Sequence, residues 1–359
     1  MDGMQHHKLE NIQILRGVAA IFVVISHLCT QMRDDHPVPC LLACCANLGG
    51  MGVDIFFVIS GFIMVATTTG RPDGLGASLN FLRKRVLRIY PVYWVWTTVL
   101  LLLWGFKLAD QTPGLAPSYV IPSYFLWPAL NDAGKWMPMI NQGWSLSFEL
   151  YFYLFFAAAI ALKTRRLTML FLLAAFLALF ALSKIVNLPP SLDYLASSPL
   201  IFEFLLGVAA GAIYLCIRGG NHLSAAVAIM SLAAVGFLFA LFTITSFPHL
   251  LTHGLPALLL VLGTSLLPTR NARCLAVPIL LGDASYSIYL THSFLMGVSG
   301  NLLRKGIGTQ VQPDLLIVIL TILFVAICLQ AYRFVEAPLI AFTSDKRKLR
   351  IDRAIAPAS

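Results

Sequence analysis

The sequence predicts an all-α, polytopic membrane protein with about ten transmembrane helices and both termini in the cytoplasm. Three observations predict it. Of the 359 residues, 58% are hydrophobic and 11% are charged, whereas soluble domains carry about a quarter charged residues. Ten windows approach the roughly 20 apolar residues that a span requires: 11–31, 48–69, 87–106, 143–163, 167–183, 199–217, 224–244, 250–267, 277–299 and 313–335. Lys and Arg are also unevenly distributed between the spans. Sixteen fall on the side of the N-terminus, against six on the other side (Arg33, Lys107, Lys135, Lys184, Arg304 and Lys305). That bias marks a cytoplasmic face. The net charge of +9 is therefore an orientation signal with attraction for anionic membrane lipid, not a nucleic-acid footprint. Residues 1–342 are expected to form one membrane domain and 343–359 a basic cytoplasmic tail. The opening "MDGMQHHKLE" is polar and leads into an apolar run without a small-residue cleavage pattern, so the first span is expected to be retained.

Each span contributes in turn. The first carries Arg16 and His27. Eleven residues make about three helical turns, so both lie on one face, roughly 16 Å apart along the axis. The face holds a permanent cation near the cytoplasmic surface and a potential general base in the outer half of the bilayer. Either residue alone reads better as a snorkelling arginine or a buried, satisfied histidine; the pair on one face is a functional signal, because ionisable groups in a membrane are expensive. Cys40, Cys44 and Cys45 cluster after this span beside His36. A disulfide or a metal is open there, but small apolar fillers are the simpler reading, and no metal is expected.

The second span contains "GGMGVDIFFVISGFIM", Gly49 to Met64. Asp54 near its outer start needs a partner, and His27 at similar depth is the expected one, since a carboxylate orients an imidazole. Ser60 and Gly61 lie deeper, at a close-packing position. The third span opens with "RKRVLRIYP". Arg83 and Lys84 read as inner-edge charge. Arg85 and Arg88 go deeper, and guanidinium forks suit phosphates; Pro91 bends or opens the helix. The outer loop 107–142 holds Tyr119, Tyr124, Trp127, Asn131, Asp132 and Trp136, which suit sugar rings and interfacial anchoring equally.

The fourth span, "NQGWSLSFELYFY" from Asn141, places Glu149 level with His27 and Asp54, with Trp144 and Ser145 just above it. The fifth and eighth are short. The sixth carries "GVAAG", Gly207 to Gly211, a spacing of small residues that lets helices approach closely. The ninth contains "SYSIYLTH", Ser285 to His292, and the tenth closes on "RFVEAP", where Arg333 and Glu336 are spaced to pair with each other. Two polar layers result: Arg16, Arg85, Arg88, Tyr286 and Arg333 toward the cytoplasm, and His27, Asp54 and Glu149 toward the outside.

These motifs, in this order, resemble acyltransferase family 3, the integral membrane acyltransferases. The resemblance rests on Arg16 and His27, on "GVDIFFVISGF", "RVLRIYP", "WSLSFELYFY", "SYSIYLTH" and "EAP". It is similar in particular to the exopolysaccharide-production O-acetyltransferases of Gram-negative bacteria. The resemblance implies acetyl transfer from cytosolic acetyl-CoA to a sugar hydroxyl of an exopolysaccharide, or of another surface glycan or lipid-linked saccharide, at the bacterial inner membrane. It implies that His27 takes the hydroxyl proton or transiently accepts the acetyl group, oriented by Asp54 or Glu149. Arg16 would hold donor or oxyanion charge and Arg85 and Arg88 the CoA phosphates, with Ser60, Tyr286 and Arg333 also on the donor. Asn141, Trp144 and Ser145 would meet the acceptor. A succinyl or longer acyl donor stays open, and a homodimer is compatible with the sequence. A secondary transporter would also bury charge at depth, but no inverted repeat is found.

Overall fold

The computed structural model describes residues 10–35, 45–106, 115–163, 167–217, 222–242, 248–268, 275–308 and 310–343. His36, Cys40, Cys44 and the tail from 344 lie outside the described residues. Thirteen α-helices follow in order: α1 (Glu10–Asp35), α2 (Leu48–Thr68), α3 (Leu75–Gly105), the short α4 (Pro117–Tyr124), α5 (Gly143–Ala161), α6 (Thr168–Ile185), α7 (Pro190–Ala196), α8 (Ile201–Ile217), α9 (Leu223–Phe242), α10 (Leu255–Leu266), α11 (Ala276–Asp283), α12 (Ser285–Arg304) and α13 (Pro313–Ala331). Single π-helical turns precede α10, at Leu250–Gly254, and follow α13, at Tyr332–Glu336. Among the described residues there is no strand, only an isolated bridge between Leu130 and Trp136. The protein is all-α and crosses the membrane many times.

Among the described residues, eight helices are long and apolar enough to span a bilayer. The other two expected spans have a different form. The segment Leu250–Leu266 is short and begins in the π turn. The expected span 277–299 is broken at Ala284 into α11 and α12. The break has a local cause. The Glu336 carboxylate accepts from the Ser287 backbone N–H at 3.0 Å and from its hydroxyl at 2.6 Å. A negative group on the otherwise unsatisfied N–H groups of a first turn gives α12 its own start. Glu336 is therefore engaged by Ser287, and Arg333, expected as its partner, is exposed.

Burial separates inner from outer helices. In α2, 67% of the apolar window is buried in the protein, against 17% in α6 and α9. Between helices in lipid the drive is close packing and not removal from water, and glycine supplies it at two seams. On α2 and α8, a Cβ added at Gly61 would collide with the Phe204 carbonyl oxygen, and one at Gly207 with the Val58 carbonyl oxygen. Gly211 continues the seam against Phe62 and Val65. Between α1 and α11, a Cβ on Gly282 would enter the Gln13 carbonyl. Beside the first seam a stack of rings joins α2, α5 and α8: Phe204 lies 4.5 Å from Phe152 and 4.7 Å from Phe57 between centroids.

Replacing Gly207 with leucine is expected to remove the folded protein, because backbone would have to separate from backbone, beyond the ~1–3 kcal/mol of ordinary overpacking. Gly50→Ala, where nothing lies within 4 Å of the new Cβ, should leave folding intact. Fluorescence-detected gel filtration of the detergent-solubilised chains measures both.

Candidate functional site

Five helices enclose a cavity of about 70 Å³ at the centre of the bundle. Its polar wall is made by Arg16 from α1, Ser60 from α2, Arg85 and Arg88 from α3, Ser145, Glu149 and Tyr153 from α5, and Ser285, Tyr286 and Tyr289 from α12. Helical periodicity sets this wall. On α2 the residues Val53, Phe56, Phe57 and Ser60 share the cavity-facing stripe, as spacings of three and four require.

The charges inside are held by specific partners. Glu149 accepts from the Ser60 hydroxyl at 2.7 Å and from the Tyr153 hydroxyl one turn along its own helix. The Arg85 guanidinium lies 5.3 Å from the Phe81 ring centroid and 5.4 Å from that of Tyr153, a cation–π arrangement on both. Its Nε is buried and has no hydrogen-bond partner. Arg16 donates to Gln13 at 3.1 Å, and Gln13 in turn donates to Asp283 at 2.7 Å, which ties α1 to α11. Tyr286 donates to the Ile89 carbonyl at 2.9 Å and bridges α12 to α3. The Ser145 and Tyr289 hydroxyls lie 2.8 Å apart and both reach the Gln142 carbonyl, at 3.1 and 3.2 Å; with one proton on each hydroxyl, two of these three contacts are donated at a time.

Arg85 also borders a second cleft, of about 340 Å³, lined by Arg71, Lys84, Asn80 and the Thr67–Thr68 end of α2. One arginine thus stands between a basic cleft and the central cavity.

His27 is not in the cavity wall. It is exposed, and its Nδ1 lies 2.8 Å from the Val23 carbonyl. A carbonyl only accepts, so Nδ1 carries the proton and Nε2 of the neutral ring is left as a base. Its ring lies 5.1 Å from that of His292. His292 is fully buried and repeats the arrangement: Nδ1 is 2.9 Å from the Ile288 carbonyl, and Nε2 faces the Gln142 side-chain amide at 3.4 Å. The Tyr289 ring is 6.4 Å from His292. An unbroken line of side chains therefore leads from the cavity through Tyr289 and His292 to His27. Near this line the Gln142 Oε1 is buried without a partner, as is Ser285 Oγ in the cavity wall.

Several sequence expectations change in three dimensions. Asp54 does not meet His27. It is adjacent to Val53 in sequence and so points about 100° away from the cavity stripe, where it lies 3.8 Å from His249 beside Glu203. Ser60 and Tyr153 hold Glu149 in the arginine-lined cavity, which neither His27 nor Asp54 lines. Arg333 does not line the cavity. Asn141 is exposed, while its neighbour Gln142 reaches the histidine pair. Trp144 packs edge-on against Phe57 and Phe148. His292, Gln142, Tyr153 and Tyr289 were not singled out, although all four lie in or beside motifs that were; what was lacking was the identity of the helix each one faces.

The acyltransferase domain model matches residues 9–333. The exopolysaccharide production protein ExoZ of Rhizobium meliloti (strain 1021) is 34% identical over 304 residues, which cover 82% of this chain and 90% of that protein. The acyltransferase MdmB of Streptomyces mycarofaciens is 30% identical over 42% of this chain and 38% of its own length. The putative peptidoglycan O-acetyltransferase YrhL of Bacillus subtilis (strain 168) is 26% identical over 58% of this chain and 34% of its own length. No solved structure matches the chain. With a family model that spans nearly the whole membrane bundle and a relative matched along most of both lengths, the chain belongs to the family of membrane acyltransferases.

Proposed function

We propose that this acyltransferase moves an acetyl group from cytosolic acetyl-CoA to a sugar hydroxyl of an exopolysaccharide or other surface glycan. It acts in the bacterial cytoplasmic membrane with both termini inside. The observation that carries the reading is the placement of Arg85 between a basic cleft and a buried polar cavity that adjoins a histidine pair. The basic residues Arg71 and Lys84 suit the phosphates of a nucleotide thioester at the cleft. The unpartnered Arg85 Nε and Ser285 Oγ offer donors to the acyl arm as it enters the cavity, because a buried donor left unmade is costly. Sixteen Lys and Arg on the N-terminal side support that side as the cytosolic one. The ExoZ relative supports a polysaccharide acceptor, and the YrhL name supports acetyl as the transferred group.

In this reading His27 Nε2 takes the proton of the sugar hydroxyl. The oxygen attacks the thioester carbonyl, the carbon–sulfur bond breaks, and the proton passes to the departing thiolate. Arg16 and Arg88 line the cavity, Arg16 about three helical turns from His27, and there hold the negative charge of the donor. His292 fixes the His27 ring from the side, and Gln142 fixes His292. Glu149, held by Ser60 and Tyr153, offsets the three arginines so that the cavity carries one net positive pair for an anionic donor.

His27→Ala should abolish acetylation of the surface glycan, read by mass spectrometry, with membrane levels of the protein unchanged; a glycan that keeps its acetyl groups removes His27 from the chemistry. Arg85→Ala should raise the KM for acetyl-CoA by about 10- to 100-fold, from the ~1.5–3 kcal/mol of a hydrogen bond to a charged group. Steady-state assays on purified protein check this, and an unchanged KM would mean Arg85 serves only in packing.

A further inference from the structure

On the face of α2 turned away from the cavity, four side chains from three parts of the chain converge. Asp54 comes from α2, Glu203 from the first turn of α8, His253 from the π turn before α10, and His249 from the residue that precedes that turn. Asp54 and Glu203 are almost wholly buried, at 2% and 0% exposure. Two ionised carboxylates side by side in a membrane protein are unfavourable unless a proton or a cation neutralises the pair. Each keeps one oxygen, Asp54 Oδ2 and Glu203 Oε2, that is buried and has no hydrogen-bond partner.

The histidines are arranged as ligands are. Their rings stack with centroids 4.4 Å apart and planes within 3° of parallel. His249 Nε2 lies 3.8 Å from Asp54, while its Nδ1 is 3.2 Å from Glu203. His253 Nδ1 lies 2.8 Å from the Thr252 hydroxyl, which leaves Nε2 to point elsewhere. In each ring one nitrogen is held by an oxygen, and the other is free to bind; metal-binding histidines are oriented in this way by carboxylates and hydroxyls behind them. One donor atom from each of Asp54, His249 and His253 can be chosen so that all lie within 4.8 Å of one another. Tetrahedral zinc with bonds of about 2.0–2.1 Å places donors roughly 3.3 Å apart, so a small contraction closes the site.

We propose that Asp54, His249 and His253 hold one divalent cation of the zinc class, with Glu203 and Thr252 fixing the two imidazoles. Two nitrogens and one carboxylate oxygen are a zinc donor set, and three protein ligands leave a fourth position for water. His249 is exposed, which gives the ion a way in. The ion neutralises the buried carboxyl pair and ties the π turn to α2 and α8 behind the cavity. A π turn inserts one residue into a helix and commonly marks a functional site; here it brings His249 and His253 onto the same edge. The site stands independently of the acetyl-transfer reading.

The test uses the full-length chain, with any affinity tag removed, stripped with a chelator, re-equilibrated with Zn²⁺ and desalted. Elemental analysis should find about one zinc per chain. Asp54→Asn and His253→Gln should lose most of it while eluting as the parent does. Addition of Zn²⁺ should raise the Tm of the parent and leave that of His253→Gln unmoved. Should the variants fail to fold, the parent loaded with Co²⁺ decides: four-coordinate nitrogen and oxygen bands in the visible are expected. A parent without zinc after loading, zinc retained in full by both variants, or thiolate-to-cobalt charge transfer in place of those bands would each overturn the proposal. The first outcome would leave a shared proton between Asp54 and Glu203 as the neutralising group.

Discussion

The glycine seam between α2 and α8 is the contact on which the polar architecture rests. At Gly61 and Gly207 each helix lays its backbone against a carbonyl of the other, with no space for a methyl group. In water, burial of larger side chains would hold two such helices together. In lipid the surroundings are as apolar as the helix surface, and close contact has to supply the attraction. The approach also sets the rotation of α2 about its axis. One face is committed to α8, and this aims the residues on the other flank, Ser60 among them, into the cavity toward Glu149.

With that rotation fixed, α2 separates two polar regions that would compete if they met. On one side Arg16, Arg85 and Arg88 surround Glu149, a set with surplus positive charge. On the other Asp54 and Glu203 stand with His249, a set of buried carboxyl groups and an imidazole. The low-dielectric interior strengthens the interactions among the buried members of each region. Every polar group in such a setting needs a partner; among the described residues, Arg85 Nε, Ser285 Oγ, Gln142 Oε1, Asp54 Oδ2 and Glu203 Oε2 are buried without one where small molecules or ions are proposed to bind, while Trp96 Nε1 and Thr97 Oγ1 are buried without one elsewhere on α3.

The break at Ala284 makes α12 part of the same design. Its start is held by Glu336, its Tyr286 reaches α3, its Tyr289 reaches α5, and its His292 reaches α1. One helix thus contacts every other wall of the cavity through a polar or ring contact, α2 included, where the Tyr289 ring meets Phe56 edge-on at 5.7 Å. A continuous span would have placed these side chains in a different rotation.

The sequence by itself determined the class of protein, because apolar composition and span length are one-dimensional quantities that lipid reads directly. It also determined which residues were out of place in a membrane: Arg16, His27, Asp54, Arg85, Arg88 and Glu149 stand out against their neighbours wherever they end up. The close packing of "GVAAG" was legible for the same reason, since small residues at a spacing of four share a face whatever the partner. Partnership was not legible. Asp54 and His27 were matched by depth, yet one residue of helical rotation, about 100°, sends Asp54 to Glu203 and His249, residues far away in sequence. His253 and His292 carried no signal as isolated histidines and acquire one only beside His249 and His27. Depth along a helix follows from counting residues, but the direction a side chain faces is decided by which helices pack against it, and that is settled by tertiary contacts such as the glycine seam.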